Sequence, residues 1–361
     1  MNKREQLQEE WKSKFCQQVR AGNKKHVLNI FQRCGKTPVT LKILKELGLL
    51  NKKILISYPD NKILSSWGNA MEKFNISLSN VTFTNTASLK KYSNEKWDVY
   101  IQDECSDFSE EEEKHIKKLY ESEYVLALSG TISKESEERL RALGLRILIK
   151  YSNEEAIGDG LIADYSIEVV TVPLSEIKNL KDSKKRNISE KKKYDNYSYV
   201  MTKLRNEGKN TMFLALQRNR ILQGSHAKLL KLKLLLNNYS KERILIFTGL
   251  IKMAEQLGIP TFHSKSKDAT VFDRFIKREF SHMAVAKIGE SGVSFPSLDR
   301  VILSSFTYDE EATSQIISRC MMLDYEGKTA KITILCSTEE AEIKKLKKTL
   351  SDFNENKIIW K

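Results

Sequence analysis

The chain has 361 residues, which is enough for two domains of ordinary size, each with its own core. Hydrophobic residues make up 40% and charged residues 30%, as in soluble globular proteins, and no apolar run is long enough to span a bilayer. The net charge of +14 favours a polyanionic partner, with nucleic acid ahead of an anionic membrane surface.

The start of the chain, MNKREQLQEEW, contains no apolar segment of the secretory type. The five cysteines show neither metal-ligand spacing nor the pattern of a disulfide framework. We therefore expect a protein of the reducing cytoplasm that has no membrane partner.

Residues 1–24 are predicted to be helical, because Leu7, Trp11 and Phe15 recur at helical spacing. Arg4 and Gln8 lie on the same stretch, ahead of the first predicted strand. A glutamine at this place can read the edge of an adenine through paired hydrogen bonds. The alternative is that both residues are solvated polar groups on a surface helix.

The segment FQRCGKT, residues 31–37, follows an apolar run at residues 26–31 that predicts a strand. It predicts a tight loop and a helix that begins near Thr37. Gly35 allows backbone N–H groups to approach phosphate oxygens, Lys36 can reach the β and γ phosphates, and the Thr37 hydroxyl can hold Mg²⁺. A phosphate-binding loop usually has a further glycine where this chain has Ile30, so a chance Gly-Lys-Thr remains the alternative.

Four elements are predicted after this loop from their apolar patterns. Trp67 and Phe74 lie on the apolar stripe of the amphipathic helix predicted at 62–74, which favours a place in the core over base stacking. The elements are a helix at 39–47, a strand at 53–58, an amphipathic helix at 62–74 and a strand at 81–85.

The segment DVYIQDECS, residues 98–106, predicts a buried strand at 99–102 that is followed by Asp103 and Glu104. Open α/β sheets place ligand-handling groups at this end of their strands. One carboxylate can join a Mg²⁺ shell while its neighbour orients the attacking water. The alternative is a solvated acidic turn, because residues 110–113 continue the run of acids.

The first half continues with a strand at 124–128 that ends in Ser129, Gly130 and Thr131, a helix at 134–143 and a strand at 146–150. Its alternation of strands and helices predicts a parallel sheet with helices on both faces. The polar, glycine-containing residues 152–164 are interpreted as a hinge.

The second half opens with a lysine-rich region at 174–210, which is either a solvated insertion or a phosphate-contacting surface. Helix is predicted at 213–236, and a second α/β pattern begins at Arg243. A helix at 313–322 carries Gln315 and Arg319 on one face. The remaining predicted elements are strands at 244–247, 259–263, 283–288, 300–304 and 331–336, and a basic helix at 339–350.

In this order, the segments resemble the motifs of superfamily 2 helicases and translocases of the DExH type. CGKT resembles motif I, ILISYPDNKILSSW motif Ia, DVYIQDECS the DExH box and LALSGTI motif III. RILIFTG resembles motif IV, AKIGESGVSFPSLDRVIL motif V and QIISR motif VI. EEAIGDGLIADYSI resembles the crossover between the two domains of this group. Motif V and the crossover are most similar to phage recombination helicases of the UvsW type and to helicase subunits of restriction systems.

The resemblance implies an α/β fold of two tandem RecA-like domains, at 1–160 and 161–361, with a nucleotide cleft between them. Each domain is a mainly parallel sheet with helices on both faces, and the second carries a lysine-rich helical insertion at about 174–236. The implied function is that of an ATP-dependent DNA helicase or translocase, a nucleic-acid-stimulated ATPase of phage-type replication, recombination or repair.

The resemblance also implies roles for individual residues, with ATP and Mg²⁺ as cofactors. The nucleotide would be bound by Arg4, Gln8, Arg33, Cys34, Gly35, Lys36 and Thr37, and Mg²⁺ by Thr37 and Asp103. The catalytic residues would be Lys36, Asp103, Glu104, Gln315 and Arg319. Coupling is expected of Ser129, Gly130, Thr131, Glu290 and Gly292, and nucleic-acid contact of Tyr58, Pro59, Thr86, Thr248, Gly249 and Ser291.

Three departures from the motifs bear on turnover. Arg33 stands where motif I usually has a small residue, Ser318 replaces a glycine, and Met322 takes the place of a second motif VI arginine. The alternative function is therefore an ATP-binding nucleic-acid clamp or partner-binding module with weak or no turnover. A nucleotide kinase would leave the second half of the chain unexplained. DNA is favoured over RNA, and a protein partner is expected to supply substrate specificity.

Overall fold

In the computed structural model of the chain, residues 2–361 are described except for 60–62, 78–79, 107, 179, 182–184, 267, 269, 287–296, 306–312, 314–315, 319, 326 and 352. The described chain divides into two compact units, the first ending at Ile162 and the second beginning at Ala163. All five cysteines are free thiols and are buried. Among the described helices, none has the length and apolar character that crossing a membrane requires.

The first unit is built on a six-stranded sheet whose strands run parallel in the order β3-β2-β4-β5-β1-β6. The strands are β1 (Lys25–Ile30), β2 (Ile54–Tyr58), β3 (Val81–Asn85), β4 (Val99–Asp103), β5 (Tyr124–Ser129) and β6 (Arg146–Tyr151). The helices are α1 (Lys3–Arg20), α2 (Lys36–Glu46), α3 (Ile63–Lys73), α4 (Glu110–Leu119), α5 (Lys134–Ala142) and α6 (Asn153–Gly158), with a 3₁₀ helix at Thr86–Lys91.

The strand order of this sheet reverses direction along the chain. The chain first moves from β1 through β2 to β3 at one edge, and then returns through β4 and β5 to β6 at the other. Because crossovers between parallel strands are right-handed, α2 and α3 lie on one face of the sheet and α4 and α5 on the other. Ligands of open α/β sheets bind at the carboxyl ends of the strands near such a reversal.

The core on the face of α4 and α5 is formed by apolar side chains of the strands and these two helices. Val27, Leu55 and Tyr100 of the sheet join Ile116 of α4 and Leu140 of α5 in one buried cluster. The acids Glu110–Glu113 form the first turn of α4. Negative charge is stabilising there, since it faces the positive end of the helix dipole.

The second unit contains a seven-stranded sheet in the order β11-β12-β10-β13-β14-β7-β15, in which all pairings are parallel. Its strands are β7 (Asp164–Val172), β10 (Ile244–Thr248), β11 (Thr261–His263), β12 (His282–Ala286), β13 (Arg300–Leu303), β14 (Thr329–Ser337) and β15 (Ile358–Trp360). Helices α10 (Ile251–Glu255), α11 (Thr270–Ile276) and α12 (Glu340–Thr349) belong to the same unit, with a 3₁₀ helix at Glu355–Lys357.

The lysine-rich region has more structure than a solvated insertion. A short antiparallel pair, β8 (Leu180–Lys181) and β9 (Asn187–Ile188), precedes three helices, α7 (Glu190–Asn206), α8 (Met212–Gln223) and α9 (His226–Asn238). The helical structure predicted at 213–236 is confirmed, but it is divided into two helices, because Gly224 ends α8 and the Ser225 side chain caps α9 by accepting a hydrogen bond from the Lys228 N–H. Helix α9 packs on the sheet through Leu232 and Leu236, which share a cluster with Ile246.

The predicted fold of two mainly parallel α/β sheets is confirmed. Two strands of these sheets were not predicted, β7, which pairs with β14 over nine residues, and the three-residue β15, which pairs with β7; the short pair β8–β9 was not predicted either. The predicted hinge at 152–164 contains α6 and runs into β7. Of the predicted helix at 313–322, residues 313, 316–318 and 320 are helical, whereas Gln315 and Arg319 lie outside the described residues.

Candidate functional site

The loop between β1 and α2 is held in a tight turn. The Phe31 N–H donates to the Tyr151 carbonyl at 2.9 Å, and the Cys34 N–H donates to the Phe31 carbonyl at 3.3 Å. Arg33 and Gly35 have φ values of 68° and 107°, so the chain turns twice through left-handed backbone within three residues. Gly35 is the N-cap of α2 and supplies no side-chain cap, which leaves this helix end suited to an anion.

Gln8 of α1 lies directly against this loop. A Cβ atom on Gly35 would clash with the Gln8 Nε2 atom, so a larger residue here would have to displace the glutamine side chain. The Gln8 side chain is buried, whereas Arg4, one helical turn earlier, is exposed and donates from Nη2 to the Leu161 carbonyl at 3.1 Å. The structure therefore brings Gln8 to the loop, and it ties Arg4 to the end of the first unit.

Cys34 lies inside the loop as an inert thiol. Burial raises the pKa of Cys34 to about 12, and the nearby cations Arg4 and Lys36 only partly oppose this shift. The thiol therefore stays protonated near neutral pH, which argues against a nucleophilic role.

Lys36 joins the loop to the acidic pair at the end of β4. Its Nζ atom lies 2.6 Å from the Glu104 Oε1 atom, and both side chains are more than four-fifths buried. Glu104 adopts a φ of 54°, and a non-glycine residue in left-handed backbone costs on the order of 1–3 kcal/mol. The Glu104 Oε2 atom is buried and accepts no hydrogen bond from the described residues, so one acceptor position of the carboxylate is left unused.

Asp103 has a different environment from its neighbour. It is the last residue of β4 and is buried, and its Oδ2 atom accepts a hydrogen bond from the Trp67 indole N–H at 3.0 Å. Burial raises the pKa of Asp103 to about 6, and the charge of Glu104 adds to the increase, whereas Lys36 and the Trp67 hydrogen bond oppose it. The acidic pair is thus not the solvated turn that the sequence left as an alternative.

The turn after β5 closes the same edge of the sheet. The Ser129 hydroxyl donates to the Thr131 carbonyl at 2.8 Å and lies 3.0 Å from the Ser106 hydroxyl, two residues beyond Glu104. A Cβ atom on Gly130 would come within 2.7 Å of the Gln32 Cγ atom, so the turn packs against the loop after β1. The turn that carries three of the predicted coupling residues therefore lies against the loop at Gly130 and contacts the segment that carries the acids through Ser129.

The residues that could hold Mg²⁺ are Thr37 and Asp103. Thr37 follows Lys36 and Asp103 precedes Glu104, so the Lys36–Glu104 contact brings a hydroxyl and a carboxylate into one neighbourhood. Oxygen donors of this kind fit Mg²⁺, which keeps several waters and needs only one or two protein ligands. No cluster of three or more histidine, cysteine or acidic side chains suited to another metal occurs in the described part of the chain.

Tyr58, Pro59 and Thr86, three of the residues predicted to contact nucleic acid, lie at the carboxyl ends of β2 and β3. Tyr58 pairs with Asn85 in the sheet, and the Asn85 side chain donates to the Pro59 carbonyl at 2.8 Å. Thr86 begins the 3₁₀ helix. Tyr58 and Thr86 are buried, so this surface offers mainly its backbone and the ring of Pro59.

In the second unit, Thr248 and Gly249 end β10. The Thr248 hydroxyl is turned inward, because it donates to the carbonyls of Leu250 and Val285 at 3.1 and 3.3 Å. A Cβ atom on Gly249 would come within 2.5 Å of the Ser305 hydroxyl oxygen. The predicted site residues Glu290, Ser291, Gly292, Gln315 and Arg319 lie outside the described residues.

Trp67 has a site role that the sequence reasoning missed. Its predicted place in the core is confirmed, because the side chain is fully buried. The hydrogen bond to Asp103 was not foreseen, although a buried indole N–H usually finds a partner. That general rule was the only signal in the sequence, and it does not identify the acceptor.

Comparison with known proteins identifies one domain in the chain and solved structures of similar fold. Residues 227–324 match the helicase conserved C-terminal domain, and no curated protein matches the sequence. Among solved structures, the chain is similar to the ATP-dependent Type ISP restriction-modification enzyme LlaBIII bound to DNA, with 13% identity and a TM-score of 0.61. The similarity covers 98% of this chain and 31% of that enzyme, so the chain spans about a third of its length.

Two further solved structures are similar at lower TM-scores. The Pyrococcus furiosus Hef helicase domain has 13% identity and a TM-score of 0.49, over 93% of this chain and 97% of that chain. The Sulfolobus solfataricus SWI2/SNF2 ATPase core in complex with dsDNA has 16% identity and a TM-score of 0.37, over 97% and 91% of the two chains.

Proposed function

We propose that this chain, which contains the helicase conserved C-terminal domain and has the fold of a superfamily 2 helicase core, is an ATP-driven DNA translocase or helicase. The observation that carries the proposal is the contact of Lys36 in the loop after β1 with Glu104 after β4, beside the buried Asp103. A lysine, two acids of different environment and an uncapped helix start at one sheet edge form a set suited to phosphoryl transfer.

The proposed roles follow from these contacts. Lys36 would exchange Glu104 for the β and γ phosphate oxygens of ATP, and Glu104, with its unused Oε2 atom, would then orient the attacking water. Thr37 and Asp103 would hold Mg²⁺, which neutralises phosphate charge when bound. Gln8, packed on Gly35, and Arg4 would bind the adenine side of the nucleotide.

The roles proposed for residues of the second unit are based on their resemblance to motif VI. Gln315 would contact the γ phosphate, and Arg319 would stabilise the charge that develops on it in the transition state. Ser129, Gly130, Thr131, Glu290 and Gly292 would couple the nucleotide state to the contacts with DNA at Tyr58, Pro59, Thr86, Thr248, Gly249 and Ser291. We assign residues 1–160 and 161–361 to the two domains of this motor.

The wider role belongs to the same proposal. We infer a place in phage-type replication, recombination or repair, and a partner protein that supplies substrate specificity. The free, buried cysteines support a reducing cytoplasm as the compartment. LlaBIII was solved bound to DNA, and this supports DNA over RNA as the polymer on which the chain acts.

The test is ATP hydrolysis with and without single-stranded, duplex and branched DNA, and with RNA. We expect DNA to stimulate turnover, Lys36→Ala to impair nucleotide binding, and Glu104→Gln to bind ATP but to lose on the order of 10²–10⁴ in rate. Glu95→Gln is the matched control, because Glu95 forms a Lys–Glu pair of the same kind with Lys53, at 2.8 Å on the surface. Normal hydrolysis by Glu104→Gln would show that the site assignment is wrong.

The second candidate, a nucleotide-responsive clamp, is favoured by the motif departures at Arg33 and Met322. Met322 stands where motif VI usually carries a second arginine, which would lower turnover without preventing ATP binding. A clamp would bind DNA with an affinity that changes with ATP, and would show no DNA-stimulated hydrolysis in the same assay.

A further inference from the structure

A groove of about 410 Å³ lies in the second unit, where the insertion helices α7 and α8 meet the starts of α9 and α10. Its walls carry polar side chains at helical spacing. Lys193 and Tyr197 are four residues apart on α7 and share one helix face, and Gln256, the C-cap of α10, lies one turn beyond Lys252. Arg220 lies on the lining face of α8.

The charge of the groove is positive. Lys193, Arg220 and Lys252 line it, and the one acidic side chain in its wall, Glu190, is already saturated. Glu190 accepts hydrogen bonds from the Ser175 N–H at 3.1 Å, the Ser225 hydroxyl at 3.0 Å and the His226 N–H at 2.6 Å. This carboxylate serves the start of α9 and is not available to pair with the three cations.

Two of these cations, Arg220 and Lys252, are unpaired in the described part of the chain. The side chains of Arg220 and Lys252 are exposed, and neither has a hydrogen-bond or ion-pair partner in the described part of the chain. The apolar floor beneath them includes the buried Leu229 and Met253. Low-dielectric walls concentrate the field of such charges and raise the local concentration of an anion.

The position of the groove favours a nucleic-acid strand over a small anion. Its wall includes Leu250, the residue directly after Thr248 and Gly249, where the proposed nucleic-acid contacts of β10 lie. Arg220, His226 and Lys252 in its wall are exposed, and the half-buried ring of Tyr197 offers a stacking surface. A strand that leaves the end of β10 would meet Lys252 and then Arg220.

We propose that this groove binds the phosphodiester backbone of DNA and extends the contact surface of the second unit onto the insertion, through Arg220 and Lys252. The proposal rests on the proposed function, because it continues the DNA path from Thr248 and Gly249. It gives the α7–α8 insertion the role of a phosphate-contacting arm.

The test is the salt dependence of DNA binding, measured by fluorescence anisotropy on the full chain with a labelled oligonucleotide. Each phosphate contact contributes about 0.7 for single strands and about 0.9 for duplex to the slope of log affinity against log salt. The double variant Arg220→Ala with Lys252→Ala removes about two phosphate contacts and should lower the slope by their combined contribution. Across a fourfold rise in salt, its affinity should then fall about 7–12-fold less than that of the wild type.

The matched control is Lys203→Ala with Lys233→Ala, which removes the same charge from exposed positions of α7 and α9 outside the groove and should leave the slope unchanged. Arg220→Lys with Lys252→Arg should retain the wild-type slope, and thermal melting confirms that all variants are folded. Equal slopes for the two alanine pairs would overturn the proposal.

A second experiment distinguishes DNA from a small phosphate compound as the ligand of the groove. If Arg220→Ala with Lys252→Ala abolishes binding of inorganic phosphate or free ATP to this groove but leaves the DNA slope unchanged, the ligand is a small phosphate and the assignment to DNA is wrong. DNA-stimulated hydrolysis by the wild type tests the proposed function separately. Its absence would refute the motor, whereas a slope difference between the alanine pairs would still support the groove.

Discussion

Trp67→Phe should move the acid limb of the pH–rate profile to higher pH. The Trp67 indole N–H donates to the Asp103 carboxylate at 3.0 Å and stabilises its ionised form. A hydrogen bond to a charged group contributes about 1.5–3 kcal/mol, and one pKa unit corresponds to about 1.4 kcal/mol. Without this bond, the pKa of Asp103 should rise from about 6 by about 1–2 units, because burial and Glu104 continue to oppose its ionisation.

The assay is kcat/KM for DNA-stimulated ATP hydrolysis between pH 5 and pH 9, because this parameter reports the ionisation of the free enzyme. Trp97→Phe is the matched control: Trp97 is also buried, and its indole donates to the Tyr92 carbonyl at 3.1 Å, which is not an ionisable group. Both variants should lose some thermal stability, but only Trp67→Phe should shift the limb. A folded Trp67→Phe protein with an unmoved limb would refute the assignment of Asp103 to the metal site.

Three further predictions follow from the geometry and the motifs. Asp103→Asn should raise the melting temperature at pH 8, because a carboxyl group with a raised folded-state pKa destabilises the folded state above that pKa. The gain should shrink as the pH falls through about 6 and vanish below about 4, where the group is neutral in both states, and a gain independent of pH would contradict it. Gly35→Ala should lower the melting temperature more than Gly48→Ala, because both have positive φ but only at Gly35 would the new Cβ meet a side chain, that of Gln8. Equal losses would mean that Gln8 moves aside at no cost. Met322→Arg should raise kcat several-fold with little change in ATP affinity, since an arginine acting on the transition state alone changes only the rate. A lower melting temperature with no gain in rate would instead show that Met322 is a packing residue.

The sequence was sufficient for the sheets because buried parallel strands are continuous apolar runs. β2, β4, β5 and β10 are buried at every residue or nearly so, and each was predicted within two residues of its bounds. β7 was not predicted because alternate residues are less buried, and because the polar stretch before it was interpreted as a hinge. β15 has three residues, and its pairing with β7 is a long-range contact that no local pattern encodes.

For the site, the residue types could be predicted and the environments could not. Gly35, Lys36, Asp103 and Glu104 follow from motif spacing, because chain order fixes which strand end carries them. The contact of Gln8 with the loop depends on how α1 packs, and the hydrogen bond of Trp67 depends on the rotation of α3. Both are tertiary contacts: the sequence pointed to Gln8 as a nucleotide-binding residue but not to its contact with Gly35, and it gave no sign of the partner of Trp67.

The two adjacent acids have different environments, which fit the different roles proposed for them. Asp103 is the last residue of a strand, and burial and an indole N–H act on its carboxylate. The left-handed backbone of Glu104 turns the next side chain onto Lys36, with one oxygen atom left without a described partner. A buried acid of raised pKa is ionised most readily by a bound cation, whereas an acid paired with a lysine is freed when the lysine finds another anion. This division is why Asp103 is the proposed metal ligand and Glu104 the proposed water-orienting group, and it predicts that exchanging the two side chains, Asp103→Glu with Glu104→Asp, would abolish hydrolysis despite preserving the charge.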